Sequence, residues 1–137
     1  MTSKILCPTD GSDHATVGVI LAAEVAKATG GHLTVCAVNI AHGGVRGPTI
    51  SHWKAEEVQK LLADAEALAK SEGATDVGVT EIVAREAAPA IIAYAEQNGY
   101  THIVMGTGDK RGLQRLVLGS VASEVASRAH CTVTIAR

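Results

Sequence analysis

At 137 residues the chain is long enough for one hydrophobic core and too short for two. A 47% hydrophobic composition and a mean hydropathy of +0.19 supply that core, so a single domain spanning 1–137 is expected. A formal charge of -2, with one Trp, two Tyr and no Phe, excludes the basic field and the stacking surfaces of a nucleic-acid binder. The three cysteines, Cys7, Cys36 and Cys131, lie in separate apolar runs without the short paired spacing of zinc ligands, and read as buried free thiols in a reducing compartment. No stretch approaches ~18 consecutive apolar residues, so the expectation is a cytoplasmic domain with no membrane insertion.

Strand-like and helix-like segments then alternate along the chain. Residues 4–9 (KILCPT) are a short apolar run stopped by Asp10-Gly11, which predicts a fully buried first strand. A helix follows over 13–29, with Ser12 as its cap, Gly30-Gly31 as its stop, and an apolar stripe through Val17, Ile20, Leu21, Val25 and Ala28. Residues 32–40 (HLTVCAVNI) form a second strand, and AHGGVRGP after it predicts an irregular, mobile loop. From Ser51 to Glu72 the stripe Trp53, Val58, Leu61, Leu62, Ala65, Leu68 and Ala69 predicts the longest helix, ended by Gly73.

Residues 76–84 (DVGVTEIVA) alternate apolar and polar with period two, the pattern of a half-exposed strand at a sheet edge. Pro89 suits the first turn of a third helix ending near Gly99; 101–106 (THIVMG) form a fourth strand, 120–129 a fourth helix and 131–136 (CTVTIA) a fifth strand. The resulting βαβαβαβαβ order, with right-handed crossovers, predicts an α/β fold: an open doubly wound parallel sheet of five strands in the order 3-2-1-4-5, with helices on both faces. Ligands in that architecture sit where the winding reverses, here between the first and fourth strands. Those strands end in PTDGS and MGTGD, the two most polar glycine-marked strand ends in the chain.

The connection 107–119 is roughly thirteen residues long, more than most loops without regular structure. A phosphate over Gly119, Ser120 and Val121 would meet the N–H groups of a helix start, with Lys110, Arg111 and Arg115 to screen its charge and Gly106 to admit close main-chain approach. The spacing matches neither GxxxxGK[ST] nor GxGxxG, which disfavours a P-loop ATPase and a nicotinamide enzyme. A long glycine-rich turn with solvated basic residues accounts for the same pattern equally well.

KILCPTDGS at the start, VMGTG and GLQRLVLGSVASEVASRAHCTVTI at the end, and the overall length resemble the universal stress protein family over essentially all 137 residues. Its nucleotide-binding branch carries G-x2-G-x9-G-[ST]. Gly106 matches the first glycine, Gly119 the third and Ser120 the hydroxyl, whereas Asp109 stands at the second, one residue after Gly108. Ala87 is a second departure, at a position where members often have glycine. The resemblance implies ATP, with Mg2+ on Asp10, held by Pro8, Thr9, Asp10 and Val38 from the first half. From the second half it implies Met105, Gly106, Gly108, Asp109, Gly119, Ser120 and Val121, with Val38 offering main-chain hydrogen bonds to adenine.

The implied function is an ATP-binding stress-response regulator that acts through nucleotide-dependent protein interaction and carries no fast chemistry of its own. The alternative is a dimeric interaction module of the same fold that does not bind ATP, for which Asp109 speaks; a slow ATPase would need a metal on Asp10 or Asp109. A homodimer through Cys131 to Ala136 is expected, because an apolar edge strand at the chain terminus invites pairing and the family commonly pairs so.

Overall fold

The computed structural model describes residues 3–43, 47–108 and 118–137. Its elements are β1 (Lys4–Pro8), α1 (Asp13–Thr29), β2 (His32–Gly43), β3 (Thr49–Ser51), α2 (Ala55–Ser71), β4 (Val77–Ala84), α3 (Ala87–Gln97), β5 (His102–Gly106), α4 (Ser120–Arg128) and β6 (Thr132–Ala136). Five strands pair in parallel in the order β4-β2-β1-β5-β6, which is the expected doubly wound arrangement.

Alternation along each strand sends side chains to opposite faces. Ile5, Cys7, Leu33, Val35 and Val104 meet α1 and α2 through Val19, Ala22, Ala23, Ala65 and Ala69. Their neighbours Leu6, Cys36, Ile103 and Met105 meet α3 and α4 through Ala88, Ile91, Ala95, Ala122 and Val125. The edge position of β4 follows from its pairing, among the described residues, with β2 alone and from its burial alternation, with Val83 61% exposed.

The structure corrects three expectations. Glycine content suggested an irregular loop after residue 40, but β2 runs on to Gly43, and Ala41–Gly43 pair antiparallel with Thr49–Ser51. The sheet is therefore mixed at this corner, and α2 starts at Ala55 instead of Ser51, leaving Trp53 ahead of the helix. Next, the buried face of α1 is Ala15, Gly18, Val19, Ala22, Ala23 and Ala26, while Val17 is exposed. Small residues let that helix lie close on the sheet, and of the expected stripe Leu21 and Val25 pack at the margin of this face while Val17 and Ala28 point away from it. Lastly, Cys7 and Cys36 are buried but Cys131 is only half-buried; all three thiols are free. Burial pushes the Cys7 thiol far up and that of Cys36 up to about 12, so neither is a nucleophile in the folded state.

Among the described residues no helix is long and apolar enough to cross a membrane.

Candidate functional site

A cavity of about 380 Å³ opens at the carboxyl ends of the strands, where β1 and β5 send their chains to opposite faces. The ends of β1 and β5 supply Pro8, Thr9, Asp10, Met105, Gly106 and Gly108 to its wall; β2 and the segment after β3 supply Val38, Ile40, His52 and Trp53. The helix starts complete it with His14 and Ala15 from α1, Ala87 and Ile91 from α3, and Ser120, Val121 and Ala122 from α4. Its volume falls in the range of small-molecule sites, which are largely apolar with a few placed polar groups.

The turn after β1 is tied by its own side chains. Thr9 N–H donates to the Cys36 carbonyl at 2.8 Å, extending the β1–β2 ladder by one bond, and Thr9 Oγ1 accepts from Gly11 N–H at 3.2 Å. Gly11 has φ +80°, a left-handed conformation that favours glycine. Asp10 Oδ1 accepts from Ser12 N at 3.0 Å and from Ser12 Oγ, while Ser12 Oγ accepts from Ala15 N at 3.3 Å as the cap of α1. The ring of His14 reaches the same hydroxyl, with Nε2 2.9 Å away. Since the hydroxyl gives its proton to Asp10, it accepts from Nε2–H. The serine proton points at the Asp10 carboxylate and the imidazole donates to the hydroxyl, so His14 is not set as the base of a serine–histidine–acid nucleophile.

The glycines have roles that differ from close approach to a ligand. A Cβ on Gly106 would fall into the His14 carbonyl, and one on Gly18 would stand 2.7 Å from Gly106 N. The end of β5 and the first turns of α1 thus meet backbone to backbone, and Gly106 is needed for that packing. Gly108, at φ +73°, sits against Gly119, whose own Cβ would stand 2.7 Å from the Gly108 carbonyl carbon. Gly119 N–H donates to the Thr107 carbonyl at 2.8 Å, so the two ends of the connection are pinched together and α4 is aimed at the crevice. Gly119 caps α4 without a side-chain bond, which leaves the first N–H groups of the helix, from exposed Ser120 onward, available to an anion.

At the other end of the cavity β1 stops pairing at Pro8↔Cys36, while β2 continues beside β4 to Ile40↔Ala84. In a parallel ladder alternate residues turn both N–H and C=O to the same neighbour. Cys36 faces β1, and so Val38 faces the same way, past the last β1 residue and into the crevice.

Nine sequence-assigned positions therefore line one cavity: Pro8, Thr9, Asp10, Val38, Met105, Gly106, Gly108, Ser120 and Val121. Gly119 stands behind them as the loop closure, and Asp109 lies outside the described residues. The sequence pattern missed Ile40, His52 and Trp53, which arrive through the unexpected β3 corner, and Ile91, which reads as core. Two histidines, His14 and His52, are in the lining. Among the described residues no group of three metal-ligating side chains occurs.

The universal stress protein family model matches residues 1–137. A universal stress protein of Methanocaldococcus jannaschii is 36% identical over 140 aligned positions, covering 98% of this chain and 81% of the relative. A universal stress protein solved in complex with cAMP superimposes with a TM-score of 0.77 at 25% identity, covering 98% of this chain and 97% of the other. One from Archaeoglobus fulgidus, solved in complex with dAMP, gives a TM-score of 0.72 at 25% identity over 100% of this chain and 98% of the other.

Proposed function

The chain belongs to the universal stress protein family, and from that premise we propose that its crevice binds an adenine nucleotide, ATP in particular, whose presence is read by protein partners in a stress response. One observation carries the reading. A single cavity presents the main-chain edge of Val38, two residues beyond the last β1–β2 pair among the described residues, at one end and the start of α4 at Ser120 and Val121 at the other. The first offers a donor and an acceptor to the edge of a purine; the second offers N–H groups and a hydroxyl to phosphate. Relatives solved with cAMP and dAMP support the adenine class.

Mg2+ fits the donor set in one form only. It keeps several waters and takes one or two carboxylates together with phosphate oxygens, and Asp10 is the carboxylate that lines the crevice among the described residues. The ion would arrive with the phosphates, held by Asp10, and would neutralise their charge there. Asp10 and His14 face the ligand, and Ser12 positions both. In this reading the protein is a binder with no fast hydrolysis of its own.

A homodimer through β6 belongs to the same proposal. Among the described residues β6 pairs only with β5, and its free edge carries half-buried Val133 and Ile135. The alternative, an interaction module without nucleotide, rests on Asp109 at the second glycine position of the motif.

Purified protein is denatured by heat and the supernatant examined for nucleotide by absorbance and mass spectrometry; calorimetric titration with ATP and Mg2+ follows. Adenine nucleotide in the supernatant, or saturable heat, is the expected result. Flat heat at millimolar nucleotide with a clean supernatant removes the reading in favour of the module without nucleotide.

A further inference from the structure

Asn39 is a buried polar residue, 4% exposed, one position beyond Val38. Its amide acts as an added rung of sheet: Oδ1 accepts from Trp53 N–H at 2.9 Å, and Nδ2 donates to the Trp53 carbonyl at 3.1 Å and to Glu81 Oε2 at 2.9 Å. Both amide hydrogens and the oxygen are engaged, which fixes the orientation of the group. The neighbouring His52 N–H donates to the Ile40 carbonyl at 2.8 Å. Residues 52 and 53 are thereby strapped to the extended end of β2 ahead of α2.

The strap decides where one large ring stands. Trp53, the single tryptophan of the chain, packs against the cluster of Ala37, Val58 and Leu62 and also lines the cavity beside Val38 and Ile40. The His52 ring meets it edge-on, with centroids 4.9 Å apart at 62°. We propose that Trp53 is the stacking wall for the base of the bound nucleotide, and that Asn39 is the positioning residue that sets its ring. The inference rests on the nucleotide reading and adds to it the side chain that holds the face of the base. An indole held in place before the ligand arrives presents a flat apolar face at little cost in entropy. Val38 then reads the edge of the base while Trp53 covers its face.

The probes are ATP and AMP, titrated into the wild-type protein with heat and indole fluorescence read in parallel. Quenching that saturates along the calorimetric curve is expected for both nucleotides. Trp53→Ala should weaken both by about tenfold, within the range measured for removal of a base-stacking aromatic, and by the same factor whatever the phosphate tail. Trp53→Phe should restore most of the affinity. Asn39→Asp keeps the acceptor and loses both donors; it should shift the unliganded emission to longer wavelength and weaken ATP. Wild-type heat that saturates while indole emission stays constant overturns the wall and leaves the nucleotide reading standing, as does a Trp53→Ala affinity within about twofold of wild type. Flat wild-type heat overturns both. The wild-type fluorescence needs no substitution, so it decides the matter even where Trp53→Ala does not fold.

Discussion

Replacing Gly18 with alanine puts helix propensity and tertiary packing in opposition. Gly18 lies in the middle of α1 (Asp13–Thr29) and is buried. Propensity alone predicts a gain of about 1 kcal/mol for Gly→Ala inside a helix. The structure predicts a loss, because the new methyl would sit 2.7 Å from Gly106 N, 3.1 Å from Met105 C and 3.3 Å from Met105 Cα. All three are backbone atoms of β5, which cannot turn aside as a side-chain end can, so α1 or the strand end must move. Overpacking of this kind costs about 1–3 kcal/mol, and with three backbone contacts we take the upper end, for a net loss of about 2 kcal/mol after the propensity gain. At about 2.1 cal/mol/K of unfolding entropy per residue, the 137-residue chain carries roughly 0.29 kcal/mol/K, and Tm falls by about 7 °C. Thermal unfolding followed by circular dichroism without nucleotide reads this directly. A Tm equal to or above wild type would refute the close backbone packing and return Gly106 to a purely ligand-facing role. Nucleotide affinity should fall with Tm, since Gly106 and Met105 line the crevice.

Ser120→Ala should weaken ATP by about 1 kcal/mol, roughly fivefold, the usual net value of one hydrogen bond; unchanged affinity by calorimetry would leave the hydroxyl without a ligand role. Asp109→Gly should tighten ATP a few-fold, because a carboxylate beside the phosphate tail adds bulk and like charge; weaker binding in Mg2+ would instead make Asp109 a metal bridge. Val133→Pro removes a main-chain donor from β6 and should convert dimer to monomer in light scattering; a folded protein of dimer mass would acquit that edge. Burial holds the His102 imidazole, whose Nε2 lies 2.7 Å from Thr134 Oγ1, below its ordinary value. As pH falls below about 6.5 the unfolded chain binds this proton before the folded protein does, so stability drops there and is unaffected above it. Tm measured at pH 7.5 and 5.5 should fall more for wild type than for His102→Gln.

Local chemistry by itself determined much of this protein. The alternation of buried runs and capped helices set the parallel order β4-β2-β1-β5-β6, because right-handed crossovers leave few ways to cover both faces of such a sheet. The crevice followed from that order, with Thr9, Asp10 and Ser120 at its rim, whereas Val38 was legible only through the family resemblance. What the sequence could not decide were contacts between segments far apart in the chain. Gly106 reads as a ligand-facing glycine until α1 is laid across β5, and Gly18 then shares its reason. Trp53 reads as the first residue of a helical stripe; it becomes a cavity wall because the Asn39 amide, fourteen positions away, bonds its backbone. An amide side chain standing in for a strand has no periodicity to announce it, and a missing Cβ shows its purpose only when the backbone it makes room for is in place.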